Sequence, residues 1–121
     1  MRFDWAEFLN LARYLQGDST VAFSQEAGLR TAVSRAYYAA FGHAVEFARV
    51  KLRYRPTYDW QDHRNVRQHF VNSGKVDIAQ GLEEMRQWRN DCDYRSDADP
   101  MISIRVESAI NRADRILGAL R

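Results

Sequence analysis

Leu29-Arg-Thr-Ala-Val-Ser-Arg-Ala-Tyr-Tyr-Ala-Ala-Phe-Gly-His-Ala-Val-Glu-Phe-Ala48 is the stretch that decides the fold. Leu29, Val33, Ala36, Tyr37, Ala40, Phe41, Ala44 and Ala48 recur at three- and four-residue intervals, so they share one face of an α-helix, and Leu52 extends that face. Ala36, Ala39, Ala40, Gly42 and Ala44 let a neighbouring helix approach closely, while Tyr37 and Phe41 fill the space they leave. Ser24 suits the N-cap of this helix. A helix of that length serves as the central column of a bundle.

The flanking segments repeat the pattern. Asp4 can cap a first helix with Trp5, Phe8, Leu9, Ala12 and Leu15 on one stripe, Gly17 following its end and Asp18–Phe23 connecting onward. Pro56 interrupts the chain after the central helix, because it lacks a donor and crowds the preceding turn. Asp59 or Asp62 starts a short third helix with His63, Val66, Arg67 and Phe70 on one side, and Asn72-Ser73-Gly74 stops it. A fourth helix spans about 76–93 with Ile78, Leu82, Met85 and Trp88 inward. Asp97-Ala98-Asp99-Pro100 turns into a fifth, with Asp99 as cap and Pro100 in its first turn. Ile102, Val106, Ala109, Ile110, Ala113, Ile116, Leu117 and Leu120 form its stripe. The expectation is an all-α, antiparallel four-to-five-helix bundle of up-and-down topology, one domain over 1–121 with its core at about 24–120.

Composition narrows the function classes. The formal net charge is only +2, too small for a general polyanion binder, but its distribution is uneven. Residues 49–69 hold Arg49, Lys51, Arg53, Arg55, Arg64 and Arg67 against two aspartates, whereas residues 77–99 hold seven acids against Arg86, Arg89 and Arg95. The pattern fits solvated helix faces, a basic phosphate surface beside an acidic one, or two surfaces that dock. Arg35 reads as a salt-bridge partner of the acidic segment. The single cysteine, Cys92, offers no internal disulfide. No apolar run approaches the roughly 18–20 residues of a membrane span, and no signal peptide is legible, so the expected location is the cytoplasm, away from membranes.

Arg89 is the residue most out of place. It follows Ile78, Leu82 and Met85 at helical spacing, on the stripe that should face the core, where an unpaired charge costs several kcal/mol. Asp93, one turn on, contributes only a few tenths of a kcal/mol if the pair is exposed. Arg89 either snorkels to water at the helix end or enters a groove to meet an anion, for which its planar fork suits phosphate.

Ser34-Arg-Ala-Tyr-Tyr-Ala-Ala-Phe-Gly-His-Ala44, then His63 opening a short helix, then Arg89-Asn90-Asp91-Cys92-Asp93-Tyr94 together resemble the HEPN-domain family, in particular its small stand-alone prokaryotic members with a late Arg-Asn-x-x-Asp-Tyr motif. The resemblance covers roughly residues 24–117. It implies a homodimer whose cleft carries an Arg and, after four to six residues, a His, often forming a metal-independent ribonuclease of a toxin–antitoxin or defence system. It also implies an alternative, a non-catalytic HEPN dimer that partners a nucleotidyltransferase. Arg89 matches the motif arginine and Asn90 the polar residue after it. The positions for the histidine hold Tyr94, Arg95 and Ser96. Tyrosine, with a pKa near ~10, is a far poorer proton acceptor at neutral pH than histidine near ~6.5. Arg89 and Tyr94 are therefore the candidate catalytic pair, with Arg89, Asn90, His63, Arg67 and Tyr38 the candidate RNA- or nucleotide-binding set. His43 reads as a packing residue and His69 as a surface one.

Other chemistries find no support in the sequence. Glu-x-x-His pairs for a di-metal bundle are absent, and no glutamate closes the aspartates at 91–99 into a cation loop. No metal or cofactor is expected. A helix-turn-helix around Asn72-Ser73-Gly74 would place Asp77, Glu83 and Glu84 toward DNA, the wrong charge.

Overall fold

The computed structural model describes residues 4–17, 25–97 and 99–121, and these form α1 (Ala6–Gly17), α2 (Gln25–Lys51), α3 (Gln61–Asn72), α4 (Val76–Tyr94) and α5 (Ile102–Ala119). The protein is an all-α bundle, and no strand occurs among the described residues. Ser24, the connection 18–23 and Ala98 lie outside them. Asp4 opens α1 by accepting the Ala6 N–H at 3.0 Å, and the helix runs through Gly17 rather than ending before it. Asp59 accepts the Gln61 N–H at 2.9 Å and so opens α3. Asp99 likewise accepts the Met101 N–H at 2.9 Å, in a turn just ahead of α5, so Pro100 precedes that helix instead of lying within its first turn. Gly74, at φ 79°, supplies the left-handed residue that ends the α3 segment.

α2 is the column. Leu29, Val33, Ala36, Tyr37, Ala40, Ala44 and Ala48 are all buried, as the stripe requires, and α1, α3, α4 and α5 pack around the helix. Contacts fix the directions. Trp5 lies over Gly42 and Phe8 under Arg35, so α1 is antiparallel to α2. Phe47 neighbours Lys75 while Arg30 reaches Cys92, so α4 is antiparallel too. Arg112 meets both Glu84 and Trp88, and Ile116 approaches Gly81, which sets α5 against α4. At Gly42 the small residue is essential: an added Cβ would stand 2.0 Å from Cδ2 of Trp5.

α3 departs from the alternation. His63 packs beside Tyr37 and Phe70 beside Phe47, so α3 follows α2 in the same sense. The chain reverses along α2 to make this possible, with Arg53 and Tyr58 in the left-handed region at φ 59° and 58°. One buried carboxylate holds the return. Asp62, 4% exposed, accepts the Tyr54 hydroxyl, the Thr57 N–H at 2.9 Å and the Tyr58 N–H at 2.8 Å. Burial alone would raise its pKa, but the bonds from Tyr54, Thr57 and Tyr58 outweigh burial and leave it below the usual value.

Two sequence expectations change here. Arg35 meets no acid of the 77–99 segment; its guanidinium lies 5.0 Å from the rings of both Phe8 and Tyr38. Arg30 contacts that segment's end instead, donating to the carbonyls of Cys92 (3.1 Å), Arg95 (2.5 Å) and Asp97 (2.7 Å), where a cation satisfies the last carbonyls of α4. His69 is half-buried against Tyr54, with ring centroids 4.8 Å apart, rather than a surface residue. His43 is a packing residue, with Nε2 2.5 Å from the Leu120 carbonyl.

Candidate functional site

α3 and α4 face each other with a repeated spacing. Arg64 and Arg67 on one helix and Arg86 and Arg89 on the other are each three residues apart, so each pair shares a helix face. These faces bound a groove of about 580 Å³, completed by Tyr38 from α2, by Trp60 and His63 at the start of α3, and by Asn90. Five of the residues singled out from sequence therefore meet in one place: Arg89, Asn90, His63, Arg67 and Tyr38. Tyr94 does not join them. Five residues beyond Arg89 it has rotated well off that face, and it stands 75% exposed outside the groove.

The charges in the groove are poorly balanced. Glu83 serves two arginines, at 3.0 Å from Arg67 and 2.8 Å from Arg86; the Arg86 hydrogen bond is the foremost reason its carboxyl stays below the ordinary range. Arg64 makes no ion pair among the described residues. Arg89, whose side chain is only 15% exposed, donates to two neutral acceptors, the Tyr38 hydroxyl at 2.5 Å and Asn90 Oδ1 at 2.6 Å. Its nearest acid, Asp93, is 3.8 Å away, beyond hydrogen-bond reach. The Arg89 guanidinium also lies 5.3 Å from the Tyr38 ring centre and 5.8 Å from that of Tyr37, a favourable cation–π placement. Only two buried side-chain polar atoms lack a partner among the described residues, and both belong to this groove: Nε of Arg89 and Nη1 of Arg67. Each unsatisfied donor costs about 1–3 kcal/mol.

His63 is fixed more firmly than its position near a helix start suggests. Its ring stacks on Phe41 at 4.1 Å and 8°, and its Nδ1 hydrogen-bonds the buried Tyr37 hydroxyl. Burial, reinforced by the charges of Arg89, Arg67 and Arg86, lowers the imidazole pKa, so the ring is neutral at pH 7. Burial likewise raises the Tyr37 phenol, which stays protonated. The groove thus presents a neutral imidazole, held through Nδ1 by the Tyr37 hydroxyl, beside four guanidinium groups.

Trp60 and Arg86 were not among the residues singled out as binding from sequence, and Arg64 entered only with the basic stretch 49–69. The matched i,i+3 arginine pairs were a legible signal for two of them; Trp60 carried none. Elsewhere the described residues hold no cluster of three or more metal-ligating side chains, and none of their helices is long and apolar enough to cross a membrane. Cys92 is buried, and burial pushes its thiol up to about 11, so it is not a ready nucleophile. Comparison with protein-family models, with characterised proteins and with solved structures returned no match.

Proposed function

We propose that the α3–α4 groove binds the phosphate of an RNA or nucleotide, and that the protein is a HEPN-type component of a toxin–antitoxin or defence system. The observation that carries this reading is Arg89. It is a mostly buried charge whose hydrogen bonds go to neutral acceptors, with Asp93 pairing only at 3.8 Å, among three further arginines with one shared carboxylate. Burying a charge in this way is a poor source of stability, whereas an incoming anion meets desolvated, pre-positioned charge. The family resemblance independently assigns phosphate contact to the same arginine.

Within one protomer the imidazole beside that phosphate is His63, not a residue of the Arg89 motif. His63 is neutral and its Nδ1 is engaged by the Tyr37 hydroxyl, which leaves Nε2 as the ring nitrogen to meet a ligand. The test is incubation of the purified protein with single-stranded RNA and transfer RNA, beside Arg89→Ala. Arg89-dependent binding supports the reading, with or without cleavage; the absence of both refutes it.

A second reading, a non-catalytic homodimer that partners a nucleotidyltransferase, draws on the exposed Tyr94 at the acidic end of α4, a side chain open to attachment of a nucleotide. Robust ribonuclease activity of the isolated protein, together with a pull-down that recovers no such enzyme, would refute it.

A further inference from the structure

We propose that Trp60 is a stacking platform for a nucleobase, so that the groove takes an unpaired nucleotide of a single strand. This rests on the reading of the groove as a phosphate site and adds the class of ligand to it.

Trp60 lines the same groove as Arg64 and Arg89, yet it is 77% exposed. Its backbone is pinned on both sides. The Thr57 and Tyr58 N–H groups are tied to Asp62 and the Gln61 N–H to Asp59, so the indole projects from a fixed frame. An aromatic face held out from an ordered backbone loses little freedom when a ligand packs on it. The groove, at about 580 Å³, lies within the roughly 300–1,000 Å³ of pockets that take a whole small ligand, far more than a phosphate group fills. Its chemistry is also split. Arg64, Arg67, Arg86 and Arg89 supply donors for phosphate oxygens, while Trp60 supplies a flat π-face that tolerates any base. In a duplex each base is already stacked and its face is occupied, so only an unpaired nucleotide uses both halves of the groove.

The experiment measures binding of a short single-stranded RNA, the same sequence as a duplex, and inorganic phosphate as competitor, to the wild type and to Trp60→Ala, Trp60→Phe and Arg89→Ala. Trp60→Ala is expected to weaken single-strand binding roughly 5- to 150-fold, the range of one lost base stack, with Trp60→Phe close to wild type and the duplex bound more weakly than the single strand. Single-strand binding should also quench tryptophan fluorescence, with the quench removed in Trp60→Phe. Arg89-dependent binding that is indifferent to Trp60 and to strand pairing would overturn this inference and leave the phosphate site standing. No Arg89-dependent binding of any probe would remove both. A Trp60→Ala variant with unchanged affinity but an altered oligomeric state by sedimentation would assign the indole to self-association and also overturn the inference.

Discussion

Replacing Asp62 by alanine tests how the groove is built. Its carboxylate accepts bonds from the Tyr54 hydroxyl and from the Thr57 and Tyr58 N–H groups, while the Thr57 hydroxyl retains Asp59 at 2.6 Å. Bonds to a charged acceptor contribute about 1.5–3 kcal/mol each, and a buried donor left alone costs about 1–3 kcal/mol. Thr57 and Tyr58 are exposed and can turn their N–H groups to water, whereas Tyr54 is buried and cannot. The expected loss is therefore about 3–4 kcal/mol, well below the sum of three bonds. For a chain of this length that corresponds to a fall in Tm on the order of 10–15 °C. Thermal and urea denaturation followed by helical circular dichroism measure it. Because Asp62 titrates below its unfolded value, its contribution is fully present above the ordinary aspartate pKa near ~3.9 and is lost as pH falls through the folded value. The gap between wild type and variant should stay constant from about pH 7 to pH 5 and close in stronger acid. A gap under about 1 kcal/mol at pH 7, or one that does not narrow down to about pH 2, refutes the reasoning.

Three further outcomes are expected. Gly42→Ala should destabilise by up to about 2 kcal/mol, since overpacking against Trp5 (about 1–3 kcal/mol) opposes the helix-propensity gain of about 1 kcal/mol; a Trp5→Ala background should turn the same change stabilising, and the explanation fails if it does not. Arg89→Met should leave the unliganded protein as stable as wild type or up to about 1 kcal/mol more so, because it removes a mostly buried charge whose carboxylate partner is only at 3.8 Å and an unpaired Nε. A loss above about 2 kcal/mol in chemical denaturation would show that Arg89 is there for structure. His63 titrates below the ordinary histidine value, chiefly through burial and then through Arg89, Arg67 and Arg86. Its contribution to stability therefore falls as pH drops below about 6.5, and added phosphate should raise its pKa in an NMR titration; an unmoved pKa argues against an anion beside its ring.

Much of the fold was legible because α2, α4 and α5 each carry a clear apolar stripe, and burial follows such a stripe. Arg89 was legible as a misfit for the same reason: a charge on that stripe has to go somewhere, and it goes into the groove. Tyr38, one residue from the buried Tyr37, was legible as an edge residue. Two features were not. α3 was expected to alternate in direction with α2, but Arg53 and Tyr58 adopt positive φ, and no residue-type rule marks an arginine or a tyrosine for that conformation. Asp62 had been an alternative helix cap, since its real partners, Tyr54, Thr57 and Tyr58, precede it in a segment without periodicity. Where His63 and Trp60 end up depends on both.

The return of the chain along α2 has a kinetic consequence. α3 and α4 are joined by a short turn and form a local hairpin, a contact made early at little entropic cost. That hairpin meets α2 through partners distant in sequence, among them His63 with Tyr37, Phe70 with Phe47 and Arg89 with Tyr38, and the left-handed residues before it hold strain that the bonds to Asp62 help to offset. The four arginines thus belong to a piece whose mutual contacts are local in sequence, whereas the tyrosines that orient His63 and Arg89 arrive with the closing of a long loop. Chain assembly separates the collection of charge from its alignment, and amide exchange should find the 53–60 segment opening ahead of the α2 core.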